Sequence, residues 1–340
     1  MAVKLVEVTR GKVTESLSRG DIAVTDGEGR ILYYAGDPYK YTYMRSSAKP
    51  IQAIHVCLSG AAEHYGFSDQ EIAVMCASHY GEPIHRQTVK SILDKIGLTP
   101  NNLLGGTVTS LNTSYALQLA REGVELNPLF SDCSGKHAGM LAVCQYTGHP
   151  VDQYISPDHP LQQDIIQLIA EVCRYKVDQI AIGIDGCSVP VHALPLAHMA
   201  QGYARITTPG FLSIEQQKAA GTIFRAMNQH PEMVAGTNGF CTELIRHTHG
   251  KLIGKIGAEG VYCIGIKNKN VGIAVKMEDG SMNRLPPVVM EVLGRLGLLT
   301  QQESQALESF RYMDNLNDVQ RKVGSINPVF SLEKTRSADL

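Results

Sequence analysis

The 340-residue sequence predicts an α/β (α+β) fold in which helices flank a mixed sheet. Alternating apolar segments typical of strands lie near both ends of the chain, and apolar residues at helical spacing fill the middle. Strands from the two ends can pair in one sheet that the intervening helices cover. No repeat, low-complexity tract or linker divides the sequence. We therefore expect a single domain over residues 1–330 and a loose C-terminal tail over residues 331–340.

The predicted strands include two hairpins. The first joins residues 22–24 to residues 31–34 through a turn that contains Gly27 and Gly29. The second joins Val261–Ile266 to Val271–Met277. One hairpin lies near each end of the chain, and this placement favours a sheet built from both ends.

The predicted helices lie between these hairpins and after the second one. Ser68 and Glu71 have the spacing of a capping box, which predicts a helix start. Apolar stripes at helical spacing predict further helices within residues 89–96, 161–172, 214–227 and 288–298.

Composition excludes several classes of partner. With 44% hydrophobic residues, 19% charged residues and a net charge of −2, the chain favours neither nucleic acid nor an acidic membrane surface. No apolar stretch approaches the roughly 20 residues that span a bilayer, and the N-terminal segment carries Glu7, unlike a signal peptide. The eight cysteines are widely spread, mostly within apolar segments, and so favour free thiols and a cytoplasmic protein.

A serine–lysine spacing marks the first candidate site. Ser46 precedes Lys49 by three positions, and at a helix start this spacing places both side chains on one face. A lysine that has lost its proton can activate such a serine as a nucleophile. Pro50 and the apolar spacing that follows predict that a helix begins here, with Ser46 at its N-terminus. The alternative is that Ser46 only caps the helix and Lys49 is solvated.

Two further segments extend this pattern. Residues 78–80 read Ser-His-Tyr and residues 255–257 read Lys-Ile-Gly. Together with the first pair they loosely resemble, in order, the S-x-x-K, S-D-N and K-T-G signatures of serine β-lactamases and penicillin-binding proteins. A second pair, Ser78 with Lys255, would bring two lysines near each other with Arg45 adjacent in sequence, and repulsion between these cations favours one neutral lysine. The alternatives are a hydrogen-bonded turn at Ser78 and His79 and a surface lysine at Lys255.

Two cysteines differ from the rest because they lie in polar turns. Cys133 follows an aspartate directly, and Cys187 follows one after a single glycine. A thiolate at a helix N-terminus is a good metal ligand. However, zinc normally takes four donors, and the sequence contains neither a C-x-x-C motif nor a compact histidine pair. Reduced structural or redox cysteines therefore remain the alternative.

Taken together, five segments resemble the rhizobial-type L-asparaginases, the class 3 or asparaginase II family. They are residues 44–50, 76–79, 132–137, 185–187 and 255–260. The Asp-Cys-Ser-Gly-Lys-His run at 132–137 is the most specific, and the similarity extends from about Val6 to Pro328. This resemblance implies a fold similar to serine β-lactamases and glutaminases, a homodimer, and hydrolysis of L-asparagine, a small-molecule substrate, to L-aspartate and ammonia.

The resemblance also implies roles for individual residues. It implies two catalytic Ser-Lys tandems, a zinc ion that does not supply the nucleophile, and a set of substrate-binding residues. The tandems are Ser46 with Lys49 and Ser78 with Lys255, the zinc ligands are Cys133, Lys136 and Cys187, and the substrate-binding residues are Arg45, His137 and Asp185. The chain departs from the expected family pattern at Tyr80 and Gly239, where Asn and a nearby Arg are expected. Two other functions stay open: another cytoplasmic serine amidohydrolase such as a glutaminase, and a non-catalytic protein of this fold that binds zinc or an amino acid.

Overall fold

A computed structural model describes residues 1–335, and its strands and helices occur in alternating groups along the chain. The strands are Val3–Arg10 (β1), Val13–Thr25 (β2), Ile31–Ala35 (β3), Tyr41–Tyr43 (β4), Ala181–Ile184 (β5), Pro190–Pro195 (β6), Leu252–Gly257 (β7), Val261–Ile266 (β8), Val271–Met277 (β9), Met313–Leu316 (β10), Lys322–Pro328 (β11) and Glu333–Lys334 (β12). The helices are Lys49–Leu58 (α1), Ala61–His64 (α2), Asp69–Met75 (α3), Pro83–Lys95 (α4), Thr113–Arg121 (α5), Ser134–Thr147 (α6), Pro160–Val172 (α7), Leu196–Thr207 (α8), Ile214–Gln229 (α9), Pro231–Val234 (α10), Phe240–His247 (α11), Leu285–Arg295 (α12), Gln301–Ala306 (α13) and Glu308–Arg311 (α14).

The chain forms two compact units. The first unit contains Met1–Ser47, Leu194–Thr208 and the described chain from Arg246 onward, and the second contains Ala48–Ala193 and Pro209–Ile245. The sequence predicts one domain over residues 1–330, and that expectation stays a prediction.

An antiparallel sheet forms the first unit. Its strand order is β10-β11-β1-β2-β9-β8-β7, and β3 pairs with both β2 and β12. Because β1 pairs with β11, with Val6 opposite Pro328, the two ends of the chain meet in this sheet as predicted. Both predicted hairpins are present, β2 with β3 and β8 with β9. The predicted fold class, α/β with helices flanking a sheet, is confirmed, but the described strand pairings of this sheet are all antiparallel, so the expected mixed sheet is wrong.

Two glycines let helix α8 lie directly on this sheet. A Cβ on Gly272 would lie 1.8 Å from the Ala200 carbonyl oxygen, and one on Gly265 would lie 2.5 Å from the Tyr203 carbonyl oxygen. Any side chain at either position would push the helix away from β8 and β9. The close contact fixes Tyr203, whose buried hydroxyl donates to the Ser47 carbonyl at 2.7 Å.

The second unit consists mainly of helices. Helix α6 is buried from Ser134 to Cys144 and packs on α1, α3 and α4. The strands β5 and β6 form an antiparallel hairpin, and the loop between them carries Cys187. Residues at the N-terminus of α6 therefore lie in the interior of this unit.

The predicted helices are present with small differences at their ends. The stripes predicted within residues 89–96, 161–172, 214–227 and 288–298 lie in α4, α7, α9 and α12. Ser68 and Glu71 form the predicted capping box of α3. Of the predicted tail, Glu333–Lys334 pairs with β3, and residues 336–340 lie outside the described residues. No helix within residues 1–335 combines the length and the apolar character needed to cross a membrane.

Candidate active site

The first cluster consists of Lys49, Ser78 and Asp132, and the buried Lys49 lies at its centre. It begins helix α1, where Pro50 is tolerated because an N–H in the first turn has no partner to lose. Its side chain is 1% exposed, and its Nζ donates to the Ala77 carbonyl at 2.6 Å and to Ser78 Oγ at 3.0 Å. The Asp132 carboxylate lies 3.5 Å away. The solvated-lysine alternative is therefore wrong, and Lys49 contacts the serine that the sequence assigns to the second pair.

The charges around Lys49 differ from those that the sequence suggests. Burial alone lowers the pKa of Lys49, but the nearby acidic side chains of Cys133, Asp132 and Cys187 outweigh it and raise the pKa above its ordinary value. Sequence reasoning expects cations to hold one lysine neutral. The difference arises because the turn that precedes α6 places acidic groups beside the amine. Lys49 is accordingly an ammonium donor to Ser78 in this structure.

The adjacent serines have different environments. Ser47 is fully buried, and its hydroxyl donates to the Met44 carbonyl at 2.6 Å. Ser46 is partly exposed, and its hydroxyl makes no hydrogen bond within residues 1–335. The N-cap of α1 is Ala48, which has no side-chain cap, so Ser46 does not cap the helix. The free and accessible hydroxyl of this segment is that of Ser46.

The backbone around Ser46 is constrained from two directions within the first unit. Arg45 has φ = 50°, a left-handed conformation that costs energy in a residue other than glycine. Gly257 at the end of β7 lies against the same segment: a Cβ there would be 2.7 Å from the Met44 carbonyl oxygen and 3.2 Å from the Ser47 nitrogen. The glycine of the Lys-x-Gly pattern is thus required for β7 to contact the segment that carries Ser46.

Lys255 lies on the same strand and is fully buried. Its Nζ donates to the Ile256 carbonyl at 2.8 Å. The alternative of a surface lysine is therefore wrong.

His79 has a structural role. Its Nδ1 accepts from the Gly81 N–H at 3.0 Å, so its Nε2 carries the proton and donates to Ser134 Oγ, 2.8 Å away. Its ring stacks on His85 with centroids 4.9 Å apart. The hydrogen-bonded-turn alternative therefore describes His79, whereas Ser78 is bound to Lys49.

The predicted metal ligands form a second buried cluster next to the first. Cys133 is the N-cap of α6, Lys136 lies in the first turn of that helix, and Cys187 lies in the β5–β6 loop. Lys136 Nζ lies 2.9 Å from Cys187 Sγ. A hydrogen bond from Cys133 and the Lys136 charge lower the pKa of Cys187, and burial is too weak to reverse this, so Cys187 is a thiolate. The Cys133 thiol lies 3.4 Å from the Asp132 carboxylate, which connects the two clusters.

The donor set of this cluster fits zinc. Within the described 335 residues, no three His, Cys, Asp or Glu side chains are arranged to hold a metal ion, and the third predicted ligand here is the Lys136 nitrogen. Two thiolates and a nitrogen are donors that zinc accepts, provided that the metal displaces the protons of the Cys133 thiol and of the amine. His192, 1% exposed and on β6, has two ring nitrogens without a hydrogen-bond partner in the described chain. Burial and the Lys136 charge lower its pKa to about 4, so His192 is neutral.

The three predicted substrate-binding residues belong to different parts of the chain. Arg45 is in the first unit, and His137 and Asp185 are in the second. The Asp185 carboxylate accepts from the Gly186 N–H at 2.8 Å, so it shapes the loop that carries Cys187. His137 is fully buried on α6, with its Nδ1 2.6 Å from the Tyr154 hydroxyl.

Tyr80 and Gly239, the two positions at which the sequence departs from the expected family pattern, lie against each other. Tyr80 packs over Gly236 and Gly239: a Cβ on Gly236 would lie 2.6 Å from the Tyr80 ring, and one on Gly239 would lie 2.9 Å from its hydroxyl. A larger residue at Gly239 would therefore collide with Tyr80. Burial raises the pKa of Tyr80 to about 12, so its hydroxyl stays protonated.

Sequence reasoning missed two residues that the structure brings to these clusters. Asp132 contacts both Lys49 and Cys133, and its position directly before Cys133 is a signal that could have identified it. Tyr154, which contacts His137, lies in a loop segment without any motif, so the sequence carries no signal for it.

Comparisons with known proteins identify the family. A profile of the L-asparaginase II family matches residues 6–328, and no curated protein matches the chain significantly. Similar solved structures include a β-lactamase from Mycobacterium bovis, with 15% identity over 81% of this chain and 94% of that chain and a TM-score of 0.40. Another is the protein Mglu, with 12% identity over 83% of this chain and 61% of that chain and a TM-score of 0.39. Both scores are below 0.5, so these likenesses say nothing about activity. Because the family profile spans nearly all of its length, the chain belongs to the L-asparaginase II family, and it is an amidohydrolase.

Proposed function

We propose that the protein hydrolyses the side-chain amide of L-asparagine to L-aspartate and ammonia. Membership of the L-asparaginase II family over residues 6–328 supports the substrate. The observation that carries the chemistry is the buried Lys49 amine, 3.0 Å from the Ser78 hydroxyl and three residues after the accessible Ser46. Buried lysines and serine hydroxyls are the groups that acyl transfer to a serine requires.

In the proposed reaction Ser46 is the nucleophile. Its hydroxyl loses a proton to a neutral lysine amine, for which Lys49 is the candidate, and the oxygen attacks the carboxamide carbon. The C–N bond then breaks, and the leaving nitrogen takes up a proton through the Ser78–Lys255 pair and departs as ammonia. Water next attacks the β-aspartyl ester on Ser46, which releases L-aspartate and restores the serine hydroxyl. Because the Lys49 pKa is raised in the structure, we expect the reaction to speed up toward alkaline pH.

Cys133, Lys136 and Cys187 are the proposed zinc ligands. Bound zinc would supply positive charge that offsets the thiolate charge beside Lys49. The ion is proposed to orient the substrate and the surrounding loops, and the nucleophile comes from Ser46. The three residues also act on each other: the Lys136 ammonium holds the Cys187 thiolate at 2.9 Å.

Substrate recognition is proposed to use charge complementarity. Arg45 suits the α-carboxylate of the amino acid, and Asp185 suits its α-ammonium group. His137 supplies a further polar contact. We also propose that the protein works as a homodimer in the cytoplasm.

Ammonia release from L-asparagine and L-glutamine tests the proposal. We would assay wild type, Ser46→Ala and the matched control Ser47→Ala, and measure zinc on the same samples. We expect asparagine-selective release by the wild type and a loss of at least about a thousandfold in Ser46→Ala, as when other serine nucleophiles are removed. Ser47→Ala loses a buried hydrogen bond but keeps the nucleophile, so we expect its rate within about tenfold of wild type.

The other outcomes separate the alternatives. If Ser46→Ala kept its turnover while Ser78→Ala lost it, Ser78 would be the nucleophile and the activity would stand. Glutamine-selective release would indicate a glutaminase. Wild type that binds L-asparagine without ammonia release or a covalent acyl-enzyme mass increment would instead be a non-catalytic binding protein.

A further inference from the structure

The backbone of Ser78 is held by the 231–237 segment, which consists of helix α10 and the three residues after it. Ser78 and Tyr80 lie outside the helices and strands. The Ser78 N–H donates to the Val234 carbonyl at 3.0 Å, and the Tyr80 N–H donates to the Ala235 carbonyl at 2.8 Å. Without helix or sheet bonds of its own, this stretch of chain takes its position from the carbonyls that it contacts.

Thr242 closes the 231–237 segment on itself. It lies on helix α11 and is fully buried. Its hydroxyl accepts from the Gly236 N–H at 3.1 Å and donates to the Pro231 carbonyl at 3.0 Å, so the single proton of the hydroxyl has its acceptor. Gly236 has φ = 137°, a backbone conformation that glycine adopts without strain, so the segment can turn sharply where Thr242 contacts it.

Two side chains at the start of helix α4 bind the same segment. The Glu82 carboxylate accepts from the Thr237 N–H at 3.1 Å. His85 is fully buried and accepts from the Glu82 N–H through Nδ1, so its Nε2 carries the proton and donates to the Glu232 carbonyl at 2.9 Å. All of these residues belong to the second unit. The segment is therefore anchored near both of its ends, and the two acceptor carbonyls lie between the anchored residues.

We propose that Thr242 is a positioning residue that, through the 231–237 segment, holds the Ser78 backbone where its hydroxyl contacts the Lys49 amine. The acceptors of the Ser78 and Tyr80 N–H groups lie between the two residues that Thr242 joins. Without the Thr242 hydroxyl, a buried N–H and a buried carbonyl lose their partner, and the segment must shift to recover one. That shift displaces Ser78 from Lys49, now 3.0 Å away. The part of Ser78 in the reaction rests on the proposed function, whereas these contacts do not.

Steady-state kinetics of Thr242→Val and Thr242→Ser test this role, with the amide that the wild type hydrolyses as substrate. Valine matches the shape of threonine but has no hydroxyl. We expect Thr242→Val to lower kcat at least about tenfold, because small displacements of reacting groups slow catalysis strongly. We expect its KM to stay within about threefold of wild type, because Ser78 is proposed to transfer a proton only in the transition state. Thr242→Ser keeps the hydroxyl and should keep kcat within about threefold.

Thr88→Val is the matched control. Thr88 is also buried in the second unit, and its hydroxyl likewise accepts one bond, from Gln70 Nε2 at 2.9 Å, and donates one, to the Ile84 carbonyl at 2.7 Å. Neither partner lies in the 231–237 segment, so we expect this variant to lose stability and to keep the kcat of wild type. Equal kcat losses in the two valine variants, or no rescue by Thr242→Ser, would overturn the proposal.

Hydrogen exchange of the Ser78 and Tyr80 amides, measured by mass spectrometry, tests the contacts independently of turnover. We expect exchange at least about tenfold faster in Thr242→Val than in wild type or Thr88→Val, because the acceptors of these amides are released. Unchanged exchange would refute the role of Thr242. If the wild type hydrolysed neither L-asparagine nor L-glutamine, the proposed function would fail, and the exchange rates would still decide whether Thr242 holds Ser78.

Glu82→Ala tests the same segment if Thr242→Val does not fold. The Glu82 side chain is 17% exposed, and its removal releases the Thr237 N–H without altering a fully buried position. We expect a smaller change in the same direction, with kcat at least about threefold lower and faster exchange of the Ser78 amide. Wild-type kcat and wild-type exchange in Glu82→Ala would show that the segment does not position Ser78.

Discussion

Two glycines on helix α6 allow a matched test of how tightly the candidate site is packed. A Cβ on Gly135 would lie 2.1 Å from the Val74 carbonyl oxygen and 2.7 Å from its carbon, both backbone atoms of α3. A Cβ on Gly139, one turn further along, would lie 3.0 Å from the sulfur of Met75, which belongs to a flexible side chain. The same Gly→Ala change therefore meets a rigid obstacle at one position and a yielding one at the other.

The magnitudes follow from these distances. In a helix interior, alanine is favoured over glycine by about 1 kcal/mol at either position. At Gly135, however, the two helices must separate by about 1 Å before ordinary contact is restored, and forced overpacking costs about 1–3 kcal/mol or more. Because the obstacle is backbone, we take the upper part of that range. We expect Gly135→Ala to lose about 2 kcal/mol or more of unfolding free energy, and Gly139→Ala to stay within about 1 kcal/mol of wild type.

Urea unfolding followed by circular dichroism measures both variants, with zinc content measured on the same samples. Gly135 precedes Lys136, so the shift should also disturb the thiolate–lysine cluster, and we expect Gly135→Ala to hold less zinc than Gly139→Ala. Equal stability of the two variants would refute the reasoning, because it would show that α3 and α6 separate freely. If both variants lost unfolding free energy and retained equal amounts of zinc, any substitution of a glycine in helix α6 would destabilise the protein, whatever atom its Cβ meets.

Two further predictions concern buried polar contacts. Burial alone raises the pKa of Glu71, but hydrogen bonds from Lys95 and Ser68 hold it below its ordinary value of 4.5. The stabilisation is therefore complete above that value and is lost as pH falls through the lower folded pKa. Glu71→Gln should lose about 1–3 kcal/mol at pH 7 and less at pH 4, whereas an equal loss in urea titrations at both pH values would contradict this. Tyr203→Phe removes the 2.7 Å bond to the Ser47 carbonyl, so it should lose about 1 kcal/mol and raise KM or lower kcat for asparagine; unchanged kinetics would show that Ser46 does not depend on this support.

The sequence predicts local structure well where the signal is local. The hairpin of β8 and β9 has the predicted bounds because alternation and a polar turn act over adjacent residues. The capping box at Ser68 and Glu71 forms for the same reason. Pro50 likewise marks the start of α1 within its first turn.

The electrostatics of the site depend on groups that the sequence keeps far apart. Ser78 follows Lys49 by 29 positions, yet the two side chains are 3.0 Å apart. The serine–lysine spacing of the first motif gives no indication of this contact, because spacing along a helix describes only neighbours within a turn or two. Sequence reasoning expects a lowered lysine pKa, whereas the pKa of Lys49 is raised, and the reason is similar. Asp132, which follows Lys49 by 83 positions, supplies negative charge where sequence reasoning counts only cations.

The turn before α6 connects the two halves of the candidate site. Asp132 lies 3.5 Å from the Lys49 amine and 3.4 Å from the Cys133 thiol, so one carboxylate contacts both the lysine of the first cluster and a candidate metal ligand. The Cys187 thiolate also raises the pKa of Lys49, so any loss of negative charge at Cys187 weakens the interaction that keeps Lys49 protonated. The two clusters therefore form one electrostatic system, and a change in the charge of the cysteine side chains changes the pKa of Lys49. Within the Asp-Cys-Ser-Gly-Lys-His run, the first residue thus contacts both clusters, and the second and fifth residues belong to the second cluster.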